Sequence, residues 1–218
     1  MGKDAGNSIS SGGYNVLLGS LAGDGITEGA SNVAIGYHSQ GNNDLGSHNV
    51  SVGHGSLEAL NPATATDMYN TGVGSKAGNA ITTGLSNTLV GGLAGDAITT
   101  GTENTAIGQS ALTADTLGGQ NVAIGAGTLQ TQNFSSTTTD TGNTAVGTYA
   151  GASITTGIYN TLVGRAAADA LTDADLNVAV GHSALTTDTM GSKSTAIGYG
   201  ALSTQNFTTA TDSFNTAV

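Results

Sequence analysis

The chain of 218 residues has no cysteine, no tryptophan, one proline and only four Lys and Arg residues. Each scarcity excludes something. Without cysteine there is no disulfide framework and no thiolate metal site, and the redox compartment stays undetermined. Four basic residues stand against 15 acidic ones, a formal net charge of −11, so nucleic acid and anionic membrane surfaces are poor partners. No apolar run approaches the roughly 18 residues of a membrane span, and the opening MGKDAGNSIS lacks an apolar core. Neither membrane insertion nor a signal peptide is therefore expected, and export would depend on a carrier or on further chain. Disorder does not fit either: 9% of residues are charged while 37% are hydrophobic. Something is buried, and with 35 glycines and few aromatics it is built from small residues.

What the sequence does contain is a repeated phrase. NTAVG at Asn143 returns as NTLVG at Asn160, 17 residues later. Aligned on its first residue, the phrase starts at Asn15, Asn32, Asn49, Asn70, Asn87, Asn104, Asn121, Asn143, Asn160, Asn177, Ser194 and Asn215. The spacing is 17 except for steps of 21, 22 and 21 leading to Asn70, Asn143 and Asn215. The longer unit thus recurs every 73 or 72 residues. The chain reads as a single repeat domain over 1–218, with three cycles of four units: 1–73, 74–146 and 147–218. Met1 falls in the phase of Val73 and Val146, and Val218 ends in it. A cut in phase looks like duplication, design or an excerpt from a longer array.

Within a unit the second residue is Val, Thr or a like residue, the fourth is a branched aliphatic and the fifth is Gly. Val, Ile and Thr favour a short strand, and a glycine fixed at its end suggests a corner needing positive φ or close backbone approach. A second, weaker strand is expected over stretches such as LAGDAIT, closed by another Gly near position 15. Such a unit is one coil of a solenoid. The fold expected is all-β, a parallel β-solenoid (β-roll) of twelve coils of about 17 residues, with Asn and Gly ladders running from coil to coil. A β-propeller is the competing fold, but aromatic residues make up only 4% of the chain; fixed glycines exclude a helical repeat. Four or five aliphatic side chains per coil make a thin core, and the first strand has two faces to cover. A homotrimer follows as the expected state.

The runs NVAIG at Asn32 and Asn121, NTAVG at Asn143 and STAIG at Ser194 resemble the head repeats of trimeric autotransporter adhesins of the YadA type. Similar repeats occur in bacteriophage tail-fibre proteins. The resemblance covers all twelve units. It implies a left-handed parallel β-roll that trimerises and attaches to a surface. The 17-residue period, the periodic longer unit and the lack of a coiled-coil stalk depart from the adhesins and leave a fibre repeat.

Candidate chemistry is sparse, and no enzyme is expected. His38 and His54 fall at neighbouring positions of adjacent coils, while His48 and His182 lie apart; surface turns account for them better than a metal does. Asp24, Asp96 and Asp169 share one position, and Asp67, Asp140 and Asp212 another. Members of each set are four coils apart, roughly 19 Å, too far for a catalytic carboxylate pair. Across adjacent coils Asp169 could approach Asp188, with Asp173 and Asp175 adding density, as Asp96 could approach Asp115. Turn capping is the simpler role, and Asp169, Asp173 and Asp188 are the weak candidates for a Ca²⁺ site. No other cofactor is implied, and no phosphate loop is present.

The regular coils repeat one Gly/Ala/Thr surface, so any receptor contact is expected in the long units, over 57–69, 129–142 and 202–214. Phe134, Phe207 and Tyr69 are the candidate contact residues there. The function expected is a structural and adhesive segment of an extracellular or virion fibre, binding itself as a trimer and a cell-surface glycan or protein receptor. An ice-binding solenoid is a second class, suggested by ITTG and TTDT, although Val interrupts the Thr row. A polysaccharide-degrading tailspike is a third.

Overall fold

The computed structural model describes residues 2–135 and 139–218. Met1, whose phase was read above, lies outside them. Twelve strands, from Val16–Leu18 at one end to Thr216–Ala217 at the other, form one sheet whose spatial order follows the chain. Every pairing is parallel and in register with the repeat, as in Val16 on Val33, Val33 on Val50 and Thr88 on Thr105. This is a β-solenoid of about twelve coils, each repeat adding one rung. Among the described residues, three further two-residue pairs occur, each at a long unit: Gly46–Ser47 with Thr66–Asp67, Gly118–Gly119 with Thr139–Asp140, and Gly191–Ser192 with Thr211–Asp212. Among the described residues there is no helix, so none is long and apolar enough to cross a membrane.

The second strand of the expected coil does not form. Stretches such as Leu21–Gly25 and Leu93–Asp96 are successive turns. In them every second residue has positive φ: Leu21 and Gly23, Lys76 and Gly78, Leu93 and Gly95, Ser110 and Leu112. Their amides still bond between rungs, Leu21 N–H back to Lys3 C=O at 2.9 Å and Gly23 N–H forward to Ser39 C=O at 2.9 Å. Left-handed residues are unfavourable for most side chains, and inter-rung hydrogen bonds hold them here at nearly every coil.

The ladders account for the repeated phrase. Each Asn is buried. The Oδ1 of Asn87 accepts from the backbone N–H of Asn104 at 3.0 Å and from its Nδ2 at 3.1 Å, while Asn104 Nδ2 also donates to Gly118 C=O at 2.9 Å. The side chain therefore clips one rung to the next and closes its own coil. At the fifth position the glycines have φ of 141° at Gly19, 136° at Gly91 and 135° at Gly164. A Cβ added at Gly36 would lie 2.4 Å from the carbonyl oxygen of Gly53, so no other residue fits.

The interior is filled by a volume rule. The third and ninth residues of a coil share one space, and in most coils one of the two is Leu. Where both are small, at Gly72/Gly78 and Ala145/Gly151, leucines of the coils on either side reach over them, and in the Asn32 coil Ala34 faces Gln40. Leu89 faces Gly95 and Leu162 faces Ala168, whereas Ala106 faces Leu112 and Ala123 faces Leu129. A Cβ at Gly95 would stand 2.8 Å from both Leu89 and Ile98. With small residues at the eighth position and Ile or Leu at the twelfth, this gives a continuous cluster from Leu57 to Ala196. The branched aliphatics at the fourth position stay outside it. A polar layer separates that cluster from Ala22, Ile26 and Ala34. Ser39, Gln40, Asn43 and Ser51 are fully buried and bonded to one another, with Ser39 Oγ to Ser51 Oγ at 2.6 Å, Gln40 Nε2 to Ser51 Oγ at 2.9 Å and Asn43 Nδ2 to Gln40 Oε1 at 3.0 Å.

Two outcomes follow. Leu89→Ala is expected to cost about 2–5 kcal/mol, and Gly95→Leu alone to destabilise by overpacking. Together they convert this coil to the Ala106/Leu112 type and restore most of the loss in chemical denaturation; additive losses would refute the shared space. Asn104→Ala strands the Gly118 carbonyl and the Asn121 backbone amide, and is expected to cost roughly 3 kcal/mol or more, measured the same way.

Candidate interaction surfaces

Two surfaces stand out, the outer face of the sheet and the long units. Along each strand the third residue points inward and the second and fourth point out. The outer rows are Val or Thr at the second place and Val, Ile or Leu at the fourth, with no charged residue on any of the twelve strands. Val50, Ile107, Val163 and Ile197 are exposed large hydrophobics on this face. Eleven rung steps of ~4.8 Å and a width of three residues make a flat stripe roughly 53 Å long and about 500 Å² in area. That is the size of the largest such patch on an ordinary monomer, roughly 300–600 Å², and patches of this size are often functional.

The long units are tied down at their roots. Asp115 stands at the twelfth position, where most coils have Ile or Leu, and is buried. Its Oδ1 accepts from the N–H of Gly118 at 3.0 Å and of Phe134 at 3.2 Å, and its Oδ2 accepts from Gln132 Nε2 at 2.7 Å. Gln132 Oε1 in turn accepts from Asn143 Nδ2 at 2.9 Å. The third cycle repeats the arrangement with Asp188, Gln205, Phe207 and Asn215: Phe207 N–H meets Asp188 Oδ1 at 2.9 Å, and Asn215 Nδ2 meets Gln205 Oε1 at 2.8 Å. In the first cycle Asn43 and Leu60 take these places, and Asn43 Oδ1 still accepts from the Gly46 N–H at 2.9 Å.

The residues singled out from sequence are distributed as follows. Phe134 and Phe207 are half-buried, held to the preceding coil through both backbone groups; their carbonyls accept from Leu117 N–H at 3.0 Å and Met190 N–H at 2.9 Å. Tyr69 is exposed and stacked on His48, with ring centres 5.2 Å apart. Of the segment 129–142, residues 136–138 lie outside the described ones. Asp169 accepts from Thr186 Oγ1 across to the next coil, Asp173 from Thr156 Oγ1 at 2.6 Å across to the previous one, and Asp188 is in the core. The three do not converge. Among the described residues, no group of three or more His, Asp or Glu side chains is placed to hold a metal ion. His38 and His54 do not face a common point: His38 Nδ1 pairs with Glu58 Oε1 at 3.1 Å, while His54 stacks on Tyr37 at 5.5 Å.

The roles of Gln132 and Gln205 escaped the sequence reading, as did the inward position of Asp115 and Asp188. The signal was there: a polar residue at the twelfth place in two successive coils, immediately before and within each of the last two long units.

No family model matches the chain, and no curated protein or solved structure matches it either.

Burial pushes the Asp115 carboxyl above its ordinary range, while hydrogen bonds from Gln132, Gly118, Phe134 and Leu117 pull it back. A carboxyl whose folded pKa is raised favours the folded state while protonated, and that contribution is lost as pH rises through the raised pKa. Thermal stability of the wild type relative to Asp115→Asn is therefore expected to fall as pH is raised from below the ordinary carboxylate range towards neutrality. A difference that stays flat or grows over that window would contradict it.

Proposed function

We propose that the chain is a structural and adhesive segment of an extracellular fibre, of tail-fibre or adhesin-head type, assembled from three copies. The observation that carries this reading is the uncharged Val/Ile/Thr stripe running the whole length of a rod whose net charge is −11. Like-charged chains repel at long range, so copies would meet where no charge lies. A flat apolar stripe on each of three parallel rods turns inward to form a dry axis, leaving the long units on the outside. The rigid stacking of rungs suits a part that transmits position rather than one that moves. Resemblance of the NVAIG, NTAVG and STAIG phrases to fibre and adhesin repeats supports the same reading.

A second reading uses the same face. Thr71, Thr88 and Thr105 stand one rung apart on the outer row, a regular hydroxyl array of the kind that would order water as an ice binder. Trimer assembly and ice binding compete for this face, so one measurement separates them.

Sedimentation is expected to give three times the 21.2 kDa chain mass. Ile107→Lys together with Val163→Lys is expected to yield folded monomers, because both side chains are outside the core. A wild type that stays monomeric overturns the trimer, and thermal hysteresis in that monomer would favour the ice reading. Attachment is read from binding of labelled trimer to bacterial cells and to matrix-coated surfaces; binding to neither overturns the adhesive part.

A further inference from the structure

On the border of the sheet, just past the glycine corner, the first and third cycles carry stacked aromatic pairs across adjacent rungs. Tyr37 lies over His54 with ring centres 5.5 Å apart, and His182 over Tyr199 at 5.4 Å. The corresponding residues of the middle cycle are Gln109 and Ala126. With the rings gone, a hollow of about 170 Å³ opens, lined by Gln109, Ser110, Ala126, Gly127, Gln130 and Tyr149.

Its shape depends on Gly127. A Cβ there would lie 2.6 Å from the Tyr149 ring and 3.2 Å from Gln130 Oε1, so the glycine lets an aromatic ring and an amide approach the same spot. The rungs are fixed beneath it, with Gly127 N–H on Gln109 C=O and Tyr149 N–H on Ala126 C=O, both at 3.0 Å. Gln109, Gln130 and Tyr149 are exposed along the hollow and Ser110 is half-buried, so two amides and two hydroxyls are open to a ligand in place of water. None of the six lining residues is charged.

We infer that this hollow is a binding site for one ring of a neutral sugar, presented by a cell-surface glycan. The inference deepens the attachment reading and rests on it for its biological context. A neutral hexose offers alternating hydroxyl donors and acceptors, which amides satisfy in both senses, and an apolar C–H face that packs on an aromatic ring. The hollow is below the size of drug-type ligand sites, which fits one ring and excludes an extended oligosaccharide. A charged sugar would find no counter-charge here. The other two cycles differ at these places: the first has Glu58 and Lys76 for Gln130 and Tyr149, the third has Ser203 for Gln130, and both carry aromatic rings where the middle cycle has Gln109 and Ala126.

The test is saturation-transfer NMR on the intact chain with the methyl glycosides of glucose, galactose and mannose, and with methyl glucuronide as the acidic control. Transfer to at least one neutral glycoside and none to the glucuronide is expected, with affinity in the millimolar range. Two variants remove the site in opposite ways. Tyr149→Ser takes away the platform, and Ser110 and Ser183 already occupy the same place in other coils with the same positive φ. Ala126→Tyr fills the hollow with the residue that Tyr199 supplies in the third cycle. Loss of transfer in both variants supports the site; should Ala126→Tyr not fold, Tyr149→Ser decides. No transfer to any neutral glycoside, equal transfer to the glucuronide, or transfer that survives substitution overturns it. Cell attachment that persists in Tyr149→Ser leaves the adhesive reading standing and removes this site from it. Glycoside binding without attachment to any surface does the reverse.

Discussion

Successive peptide planes at the fifth position of each coil lie so close that the carbonyl oxygen of one rung occupies the space where a side chain of its neighbour would begin. At Gly74 and Gly181, as at Gly36, a Cβ would stand 2.4 Å from that oxygen. This contact fixes the rung spacing at one corner, and the Asn ladder fixes it a few residues earlier. Between them the three-residue strand has no freedom of register, so the second and fourth residues must point out and the third must point in. The apolar stripe, the shared interior space and the positions of the long units all follow from that clamp.

The sequence made the clamp legible because both of its parts are residue identities repeated at regular intervals, Asn in all units but the one at Ser194 and Gly four residues later. The strand between them was equally plain. The return path was not. Turns with left-handed residues such as Leu93, Ser110 and Tyr149 lack the alternation that marks a strand, and their side chains are compatible with either reading. Inward and outward places there do not follow a period of two. Asp188 was therefore read as a surface neighbour of Asp169, when the fold directs one into the core and the other along the outside.

The interior shows how a repeat tolerates sequence change. Leu occupies the third place in some coils and the ninth in others, and where both places are small, as at Gly72/Gly78, leucines of the flanking coils fill the space. Cores accept such exchange when volume is conserved. At the last two long units the aliphatic twelfth residue gives way to Asp and Gln, which trade apolar contact for hydrogen bonds to the departing backbone. A loop thus anchored leaves the rod in a set direction, with Phe134 or Phe207 bonded through its amide to the carboxylate.

A chain made of nearly identical rungs can fold with one rung skipped, since any strand will pair with any other of the same pattern. Aliphatic interiors do little to prevent this, because Leu and Ile accept one another at any level. The polar layer of Ser39, Gln40, Asn43 and Ser51 does prevent it: shifted by one rung, its donors and acceptors would face Ala and Ile and remain unpaired, a cost borne by each buried group. With the Asp115–Gln132 and Asp188–Gln205 levels at the later long units, it works as an index mark against which the aliphatic rungs are counted.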